Sequence, residues 1–225
     1  MATKDIWRVW GQESGEVRIR NEGGKGVVYA DQIVISDVSG DGIKVGDVAS
    51  SAYGWRDITG RIEVRGVAAT DPDWAQIAST GFYAYDFSVN DTVWISYHIP
   101  HDFVPGTDVH FHVHWMPDGT DANIVKWQFQ VAYAKGFDQE AFPLASPTTL
   151  TCQEAGPGVA YQHMVTETAA VDLGITEPDG HILAIIKRLT NGGTENTDEI
   201  FVFDADVHYQ STNMATVGKA PSFYG

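Results

Sequence analysis

From about residue 80 onward the chain alternates apolar and polar residues with a period of two, in one segment after another. Residues 92–99 place Val93, Ile95, Tyr97 and Ile99 on one side. Residues 108–115 set Val109, Phe111, Val113 and Trp115 against His110, His112 and His114. Residues 124–133 set Val125, Trp127, Phe129, Val131 and Tyr133 against Lys126, Gln128 and Gln130. Near the end, Phe201, Phe203, Ala205, Val207 and Tyr209 alternate with Asp204, Asp206 and His208. Successive side chains of a strand point to opposite faces, so this pattern describes antiparallel strands covered on one side. Further strand candidates are 81–88, 148–153, 163–168 and 181–189. Turn signals separate them at Val104-Pro105-Gly106, Pro117-Asp118-Gly119, Gly156-Pro157-Gly158, Pro178-Asp179-Gly180 and Asn191-Gly192-Gly193. The expectation is an all-β fold: a jelly-roll or related β-sandwich of about eight antiparallel strands. No window carries a convincing helical stripe.

Residues 1–55 read differently. They are rich in glycine and charge, with turns at 21–26 and 39–42 and short apolar runs at 26–35 and 42–48. Such a segment is either a few short edge strands or an irregular arm, and the arm is the reading preferred here. Residues 56–225 then form the sandwich domain. Its core has ample material, since 43% of the chain is hydrophobic and the aromatics include 7 Trp, 9 Tyr and 10 Phe.

Charge narrows the partners. With 14 Lys and Arg against 30 Asp and Glu, the net charge is −16. A surface this acidic repels phosphate backbones and anionic lipid, so neither nucleic acid nor membrane is expected as a partner. Cys152 is the single cysteine, which excludes an internal disulfide; in its apolar run it is expected to be buried and inert. The first residues lack a signal-peptide core and no apolar run is long enough to span a bilayer, so synthesis in a cytoplasm is expected.

The strongest local feature is the row His110, His112 and His114, which a strand projects from one face. Asp204, Asp206 and His208 form a second such row, and imidazoles would meet carboxylates if the two strands were neighbours. Cupin jelly rolls hold a metal with a His-x-His pair and a later acid and His. Here Met116-Pro117-Asp118-Gly119 replaces the expected acid, and the downstream glycine-and-proline strand is absent. The row is therefore read as a polar sheet face, hydrogen-bonded to neighbours or to a partner subunit and without metal. Were a metal bound, His110, His112, His114, Asp206 and His208 would be its candidate ligands. Neutral histidines in a buried interface would have lowered pKa values, whereas histidines facing Asp204 and Asp206 would have raised ones. His98 and His101, flanking Ile99-Pro100, are expected to orient a turn. There is no nucleophile elbow, no phosphate loop and no dinucleotide fingerprint, and Gly23-Gly24-Lys25-Gly26 reads as a turn. No catalytic residue and no cofactor are expected.

Several short motifs together resemble a family of tailed-bacteriophage virion structural proteins. They are His98-Ile99-Pro100-His101-Asp102, Gly106-Thr107-Asp108, His112-Val113-His114-Trp115 and Val125-Lys126-Trp127. Ala134-Lys135-Gly136, Gln139-Glu140-Ala141-Phe142, Asp206-Val207-His208-Tyr209-Gln210 and the ending Lys219-Ala220-Pro221-Ser222-Phe223-Tyr224 continue the likeness. It covers roughly residues 55–225. The resemblance implies a virion component without enzymatic residues. An acidic jelly roll of this size suits a capsid cement (decoration) protein that trimerises on the major capsid protein. The two-sided apolar run at 182–186 and the many aromatics likewise lead us to expect a homo-oligomer, a trimer for preference. The rival is a tail adaptor or a receptor- or carbohydrate-binding tail module, in which loop residues Trp55, Trp74 and Tyr161 would stack on sugars. A cupin-like metal-dependent enzyme is the third reading.

Overall fold

The protein, seen in a computed structural model, is described over residues 54–66 and 69–212. Apart from Gly54 and Trp55, the expected arm over 1–55 lies outside the described residues, as does the ending at 219–224. Ten strands follow one another: β1 (Gly54–Thr59), β2 (Asp73–Gln76), β3 (Tyr83–Asp86), β4 (Thr92–His98) and β5 (His110–Pro117), then β6 (Ile124–Ala134), β7 (Thr148–Ala155), β8 (Met164–Glu167), β9 (His181–Leu189) and β10 (Ile200–Ser211). A single 3-10 turn at Ile77–Ser79 is the one helical element among the described residues.

The strands form two antiparallel sheets. One runs β2-β3-β10-β5-β8, with β1 also on β10; the other runs β4-β9-β6-β7. The inner faces carry the apolar halves of the alternating segments. Phe111, Val113 and Trp115 of β5 pack with Ala205, Val207 and Tyr209 of β10 against Tyr97, Trp127, Phe129 and Ile186 of the other sheet. Two polar atoms inside this layer are matched: Tyr97 Oη donates to the Ala205 carbonyl at 2.9 Å, and Trp115 Nε1 donates to Thr166 Oγ1 at 2.8 Å, whereas Trp127 Nε1 is buried without a hydrogen-bond partner among the described residues. The result is the expected β-sandwich of jelly-roll type, with eight of its ten strands beyond residue 80.

Three details differ from the expectation. β1 and β2 are additional strands, so Trp55 and Trp74 sit on sheet edges rather than in loops. β10 is not uniformly alternating. Its register on β5 shifts between Val202 and Asp204, a bulge that inserts one residue and reverses the facing of what precedes it. Val202 therefore turns into the main core, Phe203 is exposed, and Phe201 packs with Ala84 and Met116 on the other face.

The bulge also divides one edge of β10. β3 pairs with Phe201 and Val202, β1 pairs with residues 206–211, and Phe203, Asp204 and Ala205 between them have no strand on that side among the described residues. A notch results there.

Candidate functional site

β5 lies between β10 and β8, and their registers decide the site. His114 faces Asp204, His112 faces Asp206, and His110 faces His208 across one ladder. Glu167 and Val165 of β8 flank His112 and His114 on the other. All of these side chains alternate away from the core, on the outer face of the six-stranded sheet. The histidine and carboxylate rows expected from the sequence thus do meet.

Their contacts form a belt across four strands. His208 Nε2 lies 2.8 Å from Asp57 Oδ1 on β1, and its Nδ1 lies 2.5 Å from Glu167 Oε2 on β8. His110 Nδ1 is 3.2 Å from the Thr168 carbonyl and 3.5 Å from Glu167 Oε1. The edge of the Trp55 ring closes over His110, with centroids 5.5 Å apart. A second group centres on Asp206, whose Oδ2 lies 3.5 Å from His112 Nε2 and 3.7 Å from His114 Nε2. His114 Nδ1 is 2.8 Å from His163 Nε2. The His112 ring lies tilted against that of His208, with centroids 4.0 Å apart.

The electrostatics follow from this crowding. His114 is held below its ordinary pKa, mainly by burial and then by the charge of His112, with Asp206 opposing. For Asp206 burial pulls upward, but the adjacent His112 outweighs it and keeps the carboxyl low. Asp204 is pushed up to about 6 by burial and by the neighbouring Asp206 charge. Although the row faces carboxylates, His114 follows the lowered direction because burial dominates.

Beside the belt lies the notch at the β10 bulge, a space of about 460 Å³. Residues 60–62, the aromatics Trp74, Tyr83 and Tyr85, and Phe203 and Asp204 of the bulge line it. Trp74 and Tyr83 are stacked, with centroids 6.3 Å apart and planes within 13°. They are 61% and 48% exposed, far more than packing in a core would leave. Tyr85 buttresses Trp74 edge-on at 4.8 Å.

Elsewhere the expected roles are met in simpler ways. His98 Nε2 and His101 Nε2 both lie 3.1 Å from Asp179 Oδ1, at the Pro178-Asp179-Gly180 turn where Asp179 adopts a left-handed φ of 62°. They orient that turn. Tyr161 also has a positive φ, in a turn, and is exposed. Cys152 is buried against the Thr166 carbonyl, and burial pushes its thiol up to about 12. Asp57, His163 and Glu167 were not anticipated as part of the belt. The alternation of 163–168 puts His163, Val165 and Glu167 on one face, which was a usable signal; Asp57 had none without β1.

No family model matches the chain, and no curated protein matches it. Solved structures overlap it partially. The dimeric latent PorU of Porphyromonas gingivalis covers 71% of this chain, which spans 13% of the PorU chain, at 7% identity and a TM-score of 0.35. A carbohydrate-binding module, CBM36, in complex with calcium and xylotriose matches 69% of this chain over 99% of its own length, at 13% identity and a TM-score of 0.33. CBM35 from Cellvibrio japonicus Abf62 matches 70% over 98%, at 10% identity and a TM-score of 0.34. Overlaps this distant leave the ligand to be read from the chain's own residues.

Proposed function

We propose that this chain is a binding module whose ligand is a carbohydrate held in the notch at the β10 bulge. The observation that carries this reading is the exposed, nearly parallel Trp74–Tyr83 pair beside a cleft that Arg61 and Asp204 also line. A pyranose ring presents an apolar face of C–H groups and an equatorial rim of hydroxyls. The aromatic pair takes the face, while Arg61, Asp204 and the tyrosine hydroxyls reach the rim. Stacking uses side chains of two χ angles, of which Trp74 is already braced by Tyr85, so little freedom is lost on binding. In the virion setting implied by the sequence resemblance, this would be a receptor-binding tail component.

A panel of soluble oligosaccharides tested by calorimetry on the full chain checks the proposal. At least one class should bind, and Trp74→Ala should weaken it roughly tenfold or more while thermal unfolding stays in place. Absence of binding across the panel, or full binding by Trp74→Ala, would refute it.

A second reading, an assembly subunit of the capsid-cement kind, has its own observation. The outer face of the four-stranded sheet carries an apolar groove of about 380 Å³ bordered by Trp94, Ala132, Leu144, Pro147, Leu183 and Ile185. Copy number per particle separates the two settings: hundreds fit cement on the major capsid protein, a dozen or fewer fit the tail.

A further inference from the structure

The geometry points to a divalent transition-metal site on the outer face of the six-stranded sheet, formed by His112, His114 and Asp206, with Zn²⁺ as the ion that reports it. The inference goes beyond the carbohydrate reading and does not depend on it. It departs from the expectation of a metal-free interface row.

Distances come first. One nitrogen of each histidine and one oxygen of Asp206 all lie within 4.8 Å of one another. The two contacts to Asp206 Oδ2, at 3.5 and 3.7 Å, are too long for good hydrogen bonds. They fall close to the edge of a tetrahedron, about 3.4 Å, that metal–ligand bonds of about 2.0–2.1 Å generate. A cation between the three atoms needs only small movements of the side chains.

Burial supplies an independent reason. His112 is 1% exposed and Asp206 6%. His112 Nδ1 and Asp206 Oδ1 are buried atoms with no hydrogen-bond partner. A carboxylate and an imidazole so desolvated and only loosely paired are costly to keep. An ion on Asp206 Oδ2 and His112 Nε2 offsets the burial of both groups, although it leaves His112 Nδ1 and Asp206 Oδ1 themselves unbonded.

The surroundings then favour this triad over its neighbour. Asp57, His112 and His208 also lie within reach of one another, but His208 already holds Asp57 at 2.8 Å and Glu167 at 2.5 Å through its two nitrogens. His114, by contrast, engages His163 through Nδ1 at 2.8 Å, which fixes the ring with Nε2 towards Asp206. Metal-bound histidines are characteristically oriented by such a partner on the other nitrogen, which His114 has and His112, held instead by burial, has not. Two imidazoles and one carboxylate suit Zn²⁺ and similar first-row ions, not Ca²⁺ or Mg²⁺, which take oxygen ligands. Because the ligands stand on paired strands rather than loops, the site is preorganised and would clip β5 to β10.

The test uses the untagged full chain, treated with chelator, dialysed, and titrated with ZnCl₂ by calorimetry while its Tm is followed. We expect one ion per chain and a rise in Tm. His114→Ala and Asp206→Asn should each weaken binding by roughly 100-fold or more, and His163→Gln by about tenfold or more. His181→Ala, in the separate histidine group near Asp179, should leave it unchanged. Co²⁺ should give the visible bands of a tetrahedral centre in the parent and not in His114→Ala. Asp206 is buried, so if its variant fails to fold, the partly exposed His114 carries the test. No heat and no Tm shift with Zn²⁺, or undiminished binding by His114→Ala, would overturn the proposal. Loss in His208→Ala with retention in His114→Ala would move the ion to the other triad and overturn it equally.

Discussion

Asp86 sits half-buried at the end of β3, opposite Asp73 across the β2–β3 ladder and in the field of Glu199. Burial first, and Glu199 second, raise its carboxyl from 3.8 to about 6, although the Ile200 amide donates to Oδ1 at 3.2 Å. A folded-state pKa above the unfolded one means that the group favours the fold while protonated. Its contribution is fully present below about pH 4 and is lost as pH rises through about 6. The full rise is worth roughly 3 kcal/mol, and solvent screening of a half-buried group reduces this to about 1 kcal/mol. Asp86→Asn keeps an acceptor for Ile200 and removes the charge. The variant should therefore melt above the parent at pH 7.5, with the gap closing by pH 4. A gap independent of pH would show that the carboxylate is not the cause. The histidine belt is a further residue-scale matter, and part of it was legible in advance. Alternate spacing of His110, His112 and His114, and of Asp204, Asp206 and His208, determines that each set shares a face. Which set faces which depends on strand order, and sequence periodicity says nothing about that.

Among the elements, the ends of the sandwich are held by side chains that replace missing ladder bonds. Asp121, between β5 and β6, accepts from the Asn123 amide at 2.8 Å and from the Thr197 amide and hydroxyl at 2.9 and 3.0 Å. Those amides hold its carboxyl below the ordinary range. Asn196, between β9 and β10, donates in return to the carbonyls of Asp121 and Asn123. Gly156, just after β7, is threaded through this knot: its amide donates to the Asn123 carbonyl at 3.0 Å. An added Cβ would collide with the Asp121 carbonyl oxygen and come within 2.8 Å of Asn196 Nδ2. Gly156→Ala should consequently cost about 2 kcal/mol, whereas Gly81→Ala, with open space around it, should be nearly silent. Equal melting shifts for the two would contradict this account of the knot. The same scale shows where sequence reading stops. β4, β6 and β9 alternate over seven or more residues and bury one side, so they were readable. β1 is a mostly exposed run and β2 is four residues long, so neither has enough buried positions to carry a period. The bulge at Phe203 was hidden for a related reason: the pattern 201, 203, 205, 207 is apolar throughout, and only the pairing with β5 shows that its first half is out of phase.

At the scale of the whole described sandwich there are two unlike outer faces. One bears the polar belt, with the notch at a gap in the edge of its sheet; the other bears the groove between Trp94, Leu183 and Ile185. Apolar alternation on both sides of β9 was visible in the sequence as the run 182–186, and the structure sorts it cleanly. Ile182, Ala184 and Ile186 are core residues, whereas Leu183 is 39% exposed and Ile185 borders the groove beside it. Under the assembly reading this face meets a copy of the chain, because aromatic and branched side chains concentrated on one sheet gain most by excluding water together. The net charge of −16 opposes such association, and added salt screens it. Sedimentation equilibrium of the full chain should then show a closed oligomer, a trimer on our expectation, strengthened between low and physiological ionic strength. Replacing both Leu183 and Ile185 with lysine should yield monomers. Their outward position means that cooperative unfolding should persist with little change in Tm. A parent that remains monomeric at every concentration and salt would remove the case for this face as an interface. An oligomer unaffected by the double substitution would place the contact elsewhere on the molecule.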